Sequence, residues 1–461
     1  MKEKILQTLR DLRAYAVSKK VDASFTYHEE DSYLMRFANS SISLNTNEHL
    51  IRLEITAYQD RQKATYELIT NLDAMDEMKR GVDTAAEMVK HAMPVNYQPT
   101  MPHFTQTFAD DSAYDPAMAS MTSAERLAYF NEATKGLETG EIKMSGIFSS
   151  GVNTLAQINT FSEHTQYFIT TDAQISIVLA HATLKWEIQA EQSAQKKSEL
   201  DPKPLYRDLA YLLHHYTHDP SIQLPVGTYD IVFGPAAIAE FVGPLNFIAF
   251  DGGLLKRGYS FLTEEQVGKK VLSDKFTLTD DPTRPQTFPF QRDFMGMERR
   301  PYPLFEKGVF KGFVWSQDDA DEFGAKPTGH EVMHKSLVLN TGEESVSTLQ
   351  ELVESKRDND ILYFPFLHYI NYVNPSKGLI TGSSRFGALL LKKDGSVVIP
   401  FNVRITQSLL DLFGDKVAWM SKSQTVYNTS MSYGSRNPTA LVIPTFMRVN
   451  GIEISHSNPS F

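Results

Sequence analysis

The chain has 461 residues, 41% hydrophobic and 22% charged, enough apolar content for two or three globular cores. A formal net charge of −11 speaks against a nucleic-acid backbone as partner, because phosphate binding needs clustered Lys and Arg and no segment supplies such a cluster. With no cysteine anywhere, disulfides, thiolate metal ligands and a Cys nucleophile are excluded together.

The opening MKEKILQTLRDLRAYAVSKK places Ile5, Leu9, Leu12 and Ala16 at helical spacing. It lacks the apolar core of about 7–15 residues that a signal peptide needs, and no apolar run nears the ~20 residues required to cross a bilayer. The expectation is a cytoplasmic protein with no membrane contact. Strand patterns follow around 23–28, 32–37, 51–58 and 63–69, read as an antiparallel meander. Asn71 is the predicted cap of a helix over about 73–91, completing a helix–meander–helix unit. The stretch 95–119, rich in Pro, Asp and Thr, reads as a linker or long loop. Thr122 with Glu125 has capping-box spacing ahead of another helix. Strands are predicted at 142–149, 154–160 and through 167–186, and a helix over 203–215.

From Thr228 the texture changes. A strand, TYDIVF, leads into a short helical pattern at Pro235–Phe241, and many short β-runs punctuated by Gly, Asn, Asp and Pro follow. The fold class expected is α+β in two domains, 1–222 as an N-terminal α/β unit and 223–461 as a β-rich sandwich or barrel-like domain.

Four segments in order carry a resemblance: 224–242 (LPVGTYDIVFGPAAIAEFV), 261–282 (FLTEEQVGKKVLSDKFTLTDDP), 297–330 (MERRPYPLFEKGVFKGFVWSQDDADEFGAKPTGH) and 378–401 (GLITGSSRFGALLLKKDGSVVIPF). Each is weak alone, but the ordered series resembles the TldD/PmbA family. That resemblance implies a two-domain chain whose C-terminal β-rich domain holds the site and which assembles as a dimer. In the family's catalytic members a helix carries H-E-x-x-x-H and a later Cys completes a zinc sphere. Two imidazoles and a thiolate then leave the fourth tetrahedral corner to a water, and the Glu takes its proton.

By that resemblance Glu240 stands at the general-base position, Ala239 and Pro244 at the two histidine positions, and Ser430 near the cysteine position. Neither Ala nor Pro has a side-chain lone pair. No histidine lies between 219 and 329, so a shifted alignment cannot restore the motif. No cofactor is therefore expected, zinc being that of catalytic relatives. The resemblance is to the PmbA-like kind that pairs with a TldD-type metalloprotease subunit acting on unfolded or precursor peptides. The partners implied are a TldD-type chain in a heterodimer, or a second copy in a homodimeric peptide-binding scaffold, and a peptide.

A rival motif is His330-Glu331-Val332-Met333-His334, a literal H-E-x-x-H, with Glu351 or Glu354 as a third ligand. It would make the chain an active zinc metallopeptidase. Pro327 and Gly329 before it and a strand pattern after it leave under two helical turns, so a loop is the alternative reading. His214 and His218 lie one turn apart at a helix C-terminus, where the dipole favours cations whether or not a metal binds. The run Glu298-Arg299-Arg300 reads as gripping a peptide carboxylate, or else as a solvated turn or an interface ion pair. The run 363–372 reads as a buried strand, and Asp280-Asp281 as turn formers. Ser383 and Ser384 have no base placed beside them and receive no nucleophilic role.

Overall fold

The computed structural model describes residues 1–330, 336–430 and 436–461. Helix α1 (Lys2–Ser18) precedes strands β1 (Asp22–Ala38), β2 (Ser41–Gln59) and β3 (Gln62–Thr70), and α2 (Met75–His91) follows. Further on come β4 (Phe108–Ala113), α3 (Pro116–Ala119), α4 (Ser123–Ala133), β5 (Ile142–Asn159), β6 (Ser162–His181), β7 (Glu187–Ala194) and α5 (Pro202–His218). These strands form one sheet, ordered β3-β2-β1-β5-β6, with β4 and β7 sharing the outer side of β6.

The meander is three strands rather than four. Strand β1 is continuous because Glu29, Glu30 and Ser32, which interrupt the apolar alternation, are buried and hydrogen-bonded inside the sheet. For the same reason the patterns at 142–149 and 154–160 merge into β5, through buried Ser149, Ser150 and Asn153. Asn71 does not cap α2: its Oδ1 accepts from the Asp73 N–H, and Ala74 starts the helix. The supposed linker holds β4, which pairs parallel to β6, and α3. Thr122 and Glu125 do form a capping box. Helices α1 and α2 cover one face of this sheet. Ile5, Leu9, Leu53, Ile55 and Val82 meet there fully buried, each contributing about 1.5–3 kcal/mol through burial.

The remaining strands are β8 (Ser221–Ile222), β9 (Gly227–Phe233), β10 (Leu278–Asp280), β11 (Tyr302–Glu306), β12 (Val309–Phe310), β13 (Leu337–Leu339), β14 (Ile361–Phe364), β15 (Phe366–Asn374), β16 (Leu379–Arg385), β17 (Leu389–Leu391), β18 (Val397–Pro400), β19 (Val403–Ser408), β20 (Val417–Met420), β21 (Gln424–Asn428), β22 (Ala440–Pro444) and β23 (Met447–Ser457). The helices among them are α6 (Pro235–Ile248), α7 (Gly252–Lys256), α8 (Gln317–Phe323), α9 (Leu349–Glu354) and α10 (Leu409–Leu412). Two sheets result, one ordered β12-β11-β10-β13-β22-β21 and the other β15-β16-β19-β23-β9-β14-β17-β18-β8, with β20 added on β23. Both have free ends, so neither closes into a barrel. The chain has an α+β fold.

Helix α6 lies between these two sheets. Pro235 occupies its first turn, where no backbone donor is missed, and its apolar residues point in all directions, the pattern of a helix buried on every side. Ile238, Phe241, Val242 and Leu245 share one core with Phe233 and Phe364 from the larger sheet and Leu278, Phe305 and Leu337 from the smaller. The helix continues through Pro244, beyond the expected end at Phe241. A second core joins α5 and the first sheet to Tyr363, Leu389 and Phe446.

Two polar readings change, and one aromatic one. Asp280 is no turn former but a fully buried strand residue, and Arg299 is no solvated turn but its buried partner, at 2.9 Å. Arg300 and Glu298 beside it stay exposed. The run 363–372 divides into β14, buried because it pairs between β9 and β17, and β15, where Tyr369 and Tyr372 face solvent.

Candidate functional site around Glu240

Glu240 is the one ionisable residue of α6. It is half-buried, and burial raises its carboxyl above the usual range; among the described residues no cation pairs with it. Its neighbours Ala239 and Pro244 are buried in the apolar core. Helix α6 packs against β15, β21 and β22.

Strand β21 carries Tyr427, which brings in the first sheet. The Tyr427 hydroxyl hydrogen-bonds to the carboxylate of Glu191 on β7, 236 positions earlier in the chain. Burial pushes Glu191 up to about 7, and the nearby charge of Glu240 adds to that; the hydrogen bonds from Tyr427 and Gln189 pull the other way. Burial, then Glu191 and Glu240, raise the Tyr427 phenol as well, and Tyr372 on β15 also feels Glu240. Glu191, Tyr427 and Glu240 thus form one electrostatic group drawn from three elements.

Beside it opens a cavity of about 490 Å³. Residues 189–193 of β7 form one wall, and Ser423 with 424–428 of β21 another. Pro235 and Ala236 from the start of α6, with Phe366 and Phe386, close the floor. Glu240 lies one turn along α6 from Ala236, on the same face. Asp208 of α5 also lines the cavity, its carboxyl raised by burial against the opposing pull of Arg207. The free side of β7 and the free side of β21 both border this space. Perturbed carboxyls in a concave site are the usual mark of a functional region.

The positions matched to a zinc sphere do not fit zinc. Ala239 and Pro244 offer no donor atom. The Ser430 hydroxyl donates to the Thr439 carbonyl and accepts from its N–H, at 3.3 and 2.9 Å. Among the described residues no group of three or more His, Asp or Glu is arranged to hold a metal.

The rival motif is not assembled either. Ring Nδ1 of buried His330 bonds to Asp280, and its ring packs on Tyr302. Glu331 and His334 lie outside the described residues. Exposed Glu354 accepts from Gln350 on α9, and Glu351 is used in the helix cap. His214 and His218 stack on each other at 4.6 Å, while His215 pairs with Asp219. Ser384 accepts from the Val403 N–H.

Sequence reasoning located Glu240 but missed Glu191, Asp208 and Tyr427. The segment EIQAEQSA reads only as a polar strand, and nothing in it signals a tyrosine so far along the chain.

A model of the PmbA/TldA metallopeptidase C-terminal domain matches residues 226–456. A metalloprotease from Methanothermobacter thermautotrophicus is 30% identical over 106 residues, a stretch spanning 23% of this chain and 23% of that one. Among solved structures, TldE from Thermococcus kodakarensis aligns over 98% of this chain and 100% of its own, with a TM-score of 0.77 at 18% identity. A candidate modulator of DNA gyrase from Bacteroides thetaiotaomicron aligns over 97% and 98%, with a TM-score of 0.77 at 16% identity. At such identities these two establish the fold alone. With the family's C-terminal domain covering 226–456 on the architecture described, the chain belongs to the PmbA/TldD family of metallopeptidase-related proteins.

Proposed function

We propose that this chain is a PmbA-like, non-catalytic subunit that pairs with a TldD-type metalloprotease and encloses the path of an unfolded or precursor peptide. The observation that carries this reading is the surroundings of Glu240. A general base acts on a metal-bound water, yet the flanking Ala239 and Pro244 are apolar and sunk in the core. The cavity between β7 and β21 supports a role in holding extended chain, since two free strand sides border it and both can hydrogen-bond a peptide backbone. The partner would supply the metal, and this chain the enclosing wall.

The test is co-expression with a family chain bearing an intact H-E-x-x-x-H. The expected result is a stable mixed complex that cleaves an unfolded peptide, with neither chain active alone. Peptidase activity of this chain alone, with stoichiometric zinc that His330→Ala removes, would overturn the proposal. A stable homodimer that ignores the co-expressed chain would replace it with a scaffold role.

A further inference from the structure

A second cavity, of about 610 Å³, lies on the larger sheet and has the opposite electrostatic character. Cross-strand register places His368 opposite Ser383, Ser383 opposite Arg404, and Arg404 opposite His456, on β15, β16, β19 and β23. Directly opposed residues share a face, so these four side chains form one row about 14 Å long at the usual strand spacing of about 4.8 Å. Lys185, from the turn between β6 and β7, closes the row from the first sheet, and Arg385 stands beside it.

Three cationic side chains here, Lys185, Arg385 and Arg404, face one side-chain carboxylate, Glu187. Arg385 is matched by Glu187, with its Nη2 at 2.8 Å, and also donates to Nδ1 of His368 at 3.0 Å. Lys185 and Arg404 pair with no carboxylate among the described residues; Arg404 Nη1 donates only to the neutral Thr381 hydroxyl, at 3.2 Å. In a chain of net charge −11, two cationic side chains from distant segments are thus gathered here without a carboxylate partner among the described residues.

The backbone around it is also unusual. Lys185 (φ 67°), Tyr369 (φ 56°) and Phe386 (φ 61°) are all left-handed, a conformation that bulky side chains rarely adopt and that concentrates at functional sites. At this left-handed turn Tyr369 is 68% exposed at the cavity, its ring against His368. Phe386 lies under the Arg385 guanidinium.

We propose that this cavity binds a small organic dianion, a phosphate monoester or a dicarboxylate, independently of the Glu240 site. Arg404 supplies a planar fork and Lys185 a point charge to the oxyanion. The Ser383 hydroxyl is a neutral donor, and Tyr369 covers the ligand's apolar part. Neutral His368, lowered by burial and by Arg385, holds that guanidinium in place.

Calorimetric titration of the full chain at low salt, with inorganic phosphate and separately with succinate, tests this. The expected result is saturable one-site binding of at least one probe, weakened about ten-fold or more by Arg404→Gln and by Lys185→Gln, and unchanged by exposed Arg300→Gln. The probe that binds identifies which oxyanion is read. Lys185 lies on an exposed turn, so its variant tests the site even if Arg404→Gln fails to fold. Absence of saturable binding by either probe, or equal weakening by Arg300→Gln, overturns the proposal.

Discussion

Arg436 Nε donates to Asp172 Oδ1 at 2.7 Å, and both side chains are almost wholly buried although 264 positions separate them. The same guanidinium donates to the Ser149 hydroxyl, and the Arg436 N–H donates to Glu30. The segment that leads back into β22 is thereby moored inside the first sheet, between β1, β5 and β6. That mooring holds β21, and Tyr427 on it, against β7.

Removing one member of such a pair strands the other charge without water. Arg436→Met should therefore destabilise the chain by about 3–5 kcal/mol in urea unfolding, and adding Asp172→Asn should recover part of the loss. A loss below about 1 kcal/mol would mean that the pair does not hold the two parts together.

The fold was legible where a local rule suffices. Thr122 and Glu125 announce their capping box, and the all-round apolar surface of α6 announces a buried helix. It was not legible where long-range pairing overrides local pattern. Glu29 and Glu30 look like a strand break until His49 is brought beside the first, and Arg52 and the Arg436 N–H beside the second. Asp280 likewise looks like a turn residue until Arg299 and His330 surround it. At the site, Glu240 is found through its motif neighbourhood, whereas Glu191 depends on a contact between β7 and β21 that no spacing encodes. The basic row was not legible, because its three cations, Lys185, Arg385 and Arg404, come one at a time from three separate segments.

Asp280 gives a pH-dependent prediction. Burial alone would raise its carboxyl, but the hydrogen bond from His330, the charges of Arg299 and His330, and the Ser336 N–H outweigh this and hold it below the ordinary range. A depressed folded-state value means the contribution is present above the unfolded value, near 3.9, and is lost as pH falls through the folded one. Asp280→Asn should cost about 3–5 kcal/mol at pH 7 and progressively less toward pH 3. His330→Ala should also destabilise, without changing zinc content by elemental analysis. A stoichiometric zinc ion lost in that variant would reinstate the H-E-x-x-H reading.

Glu191 carries the opposite sign. Its folded-state value, up to about 7, lies above the unfolded value of ~4.3, so the folded chain binds the extra proton between them and stability falls as pH rises through that window. Glu191→Gln should leave stability nearly unchanged at pH 4.5 and raise it at pH 8, by on the order of 1–2 kcal/mol after allowance for partial exposure. Equal effects at the two pH values would show that the carboxyl does not titrate in this window.

Glu240→Gln separates a vestigial carboxylate from a working one. With burial raising its carboxyl and no paired cation among the described residues, ionised Glu240 weakens the fold at neutral pH, so the amide should stabilise the chain, more at pH 8 than at pH 5. Loss of its charge should also let the Glu191 carboxyl drop toward its ordinary range, moving the midpoint of the Glu191-dependent stability change to lower pH. In the mixed complex with a catalytic chain, a silent Glu240 predicts a peptide-cleavage rate within about two-fold of wild type. A general base at this position would instead cost about 10²–10⁴-fold on substitution. A loss of that size, with the complex intact and the variant more stable, would make Glu240 part of the chemistry and end its description as a relic.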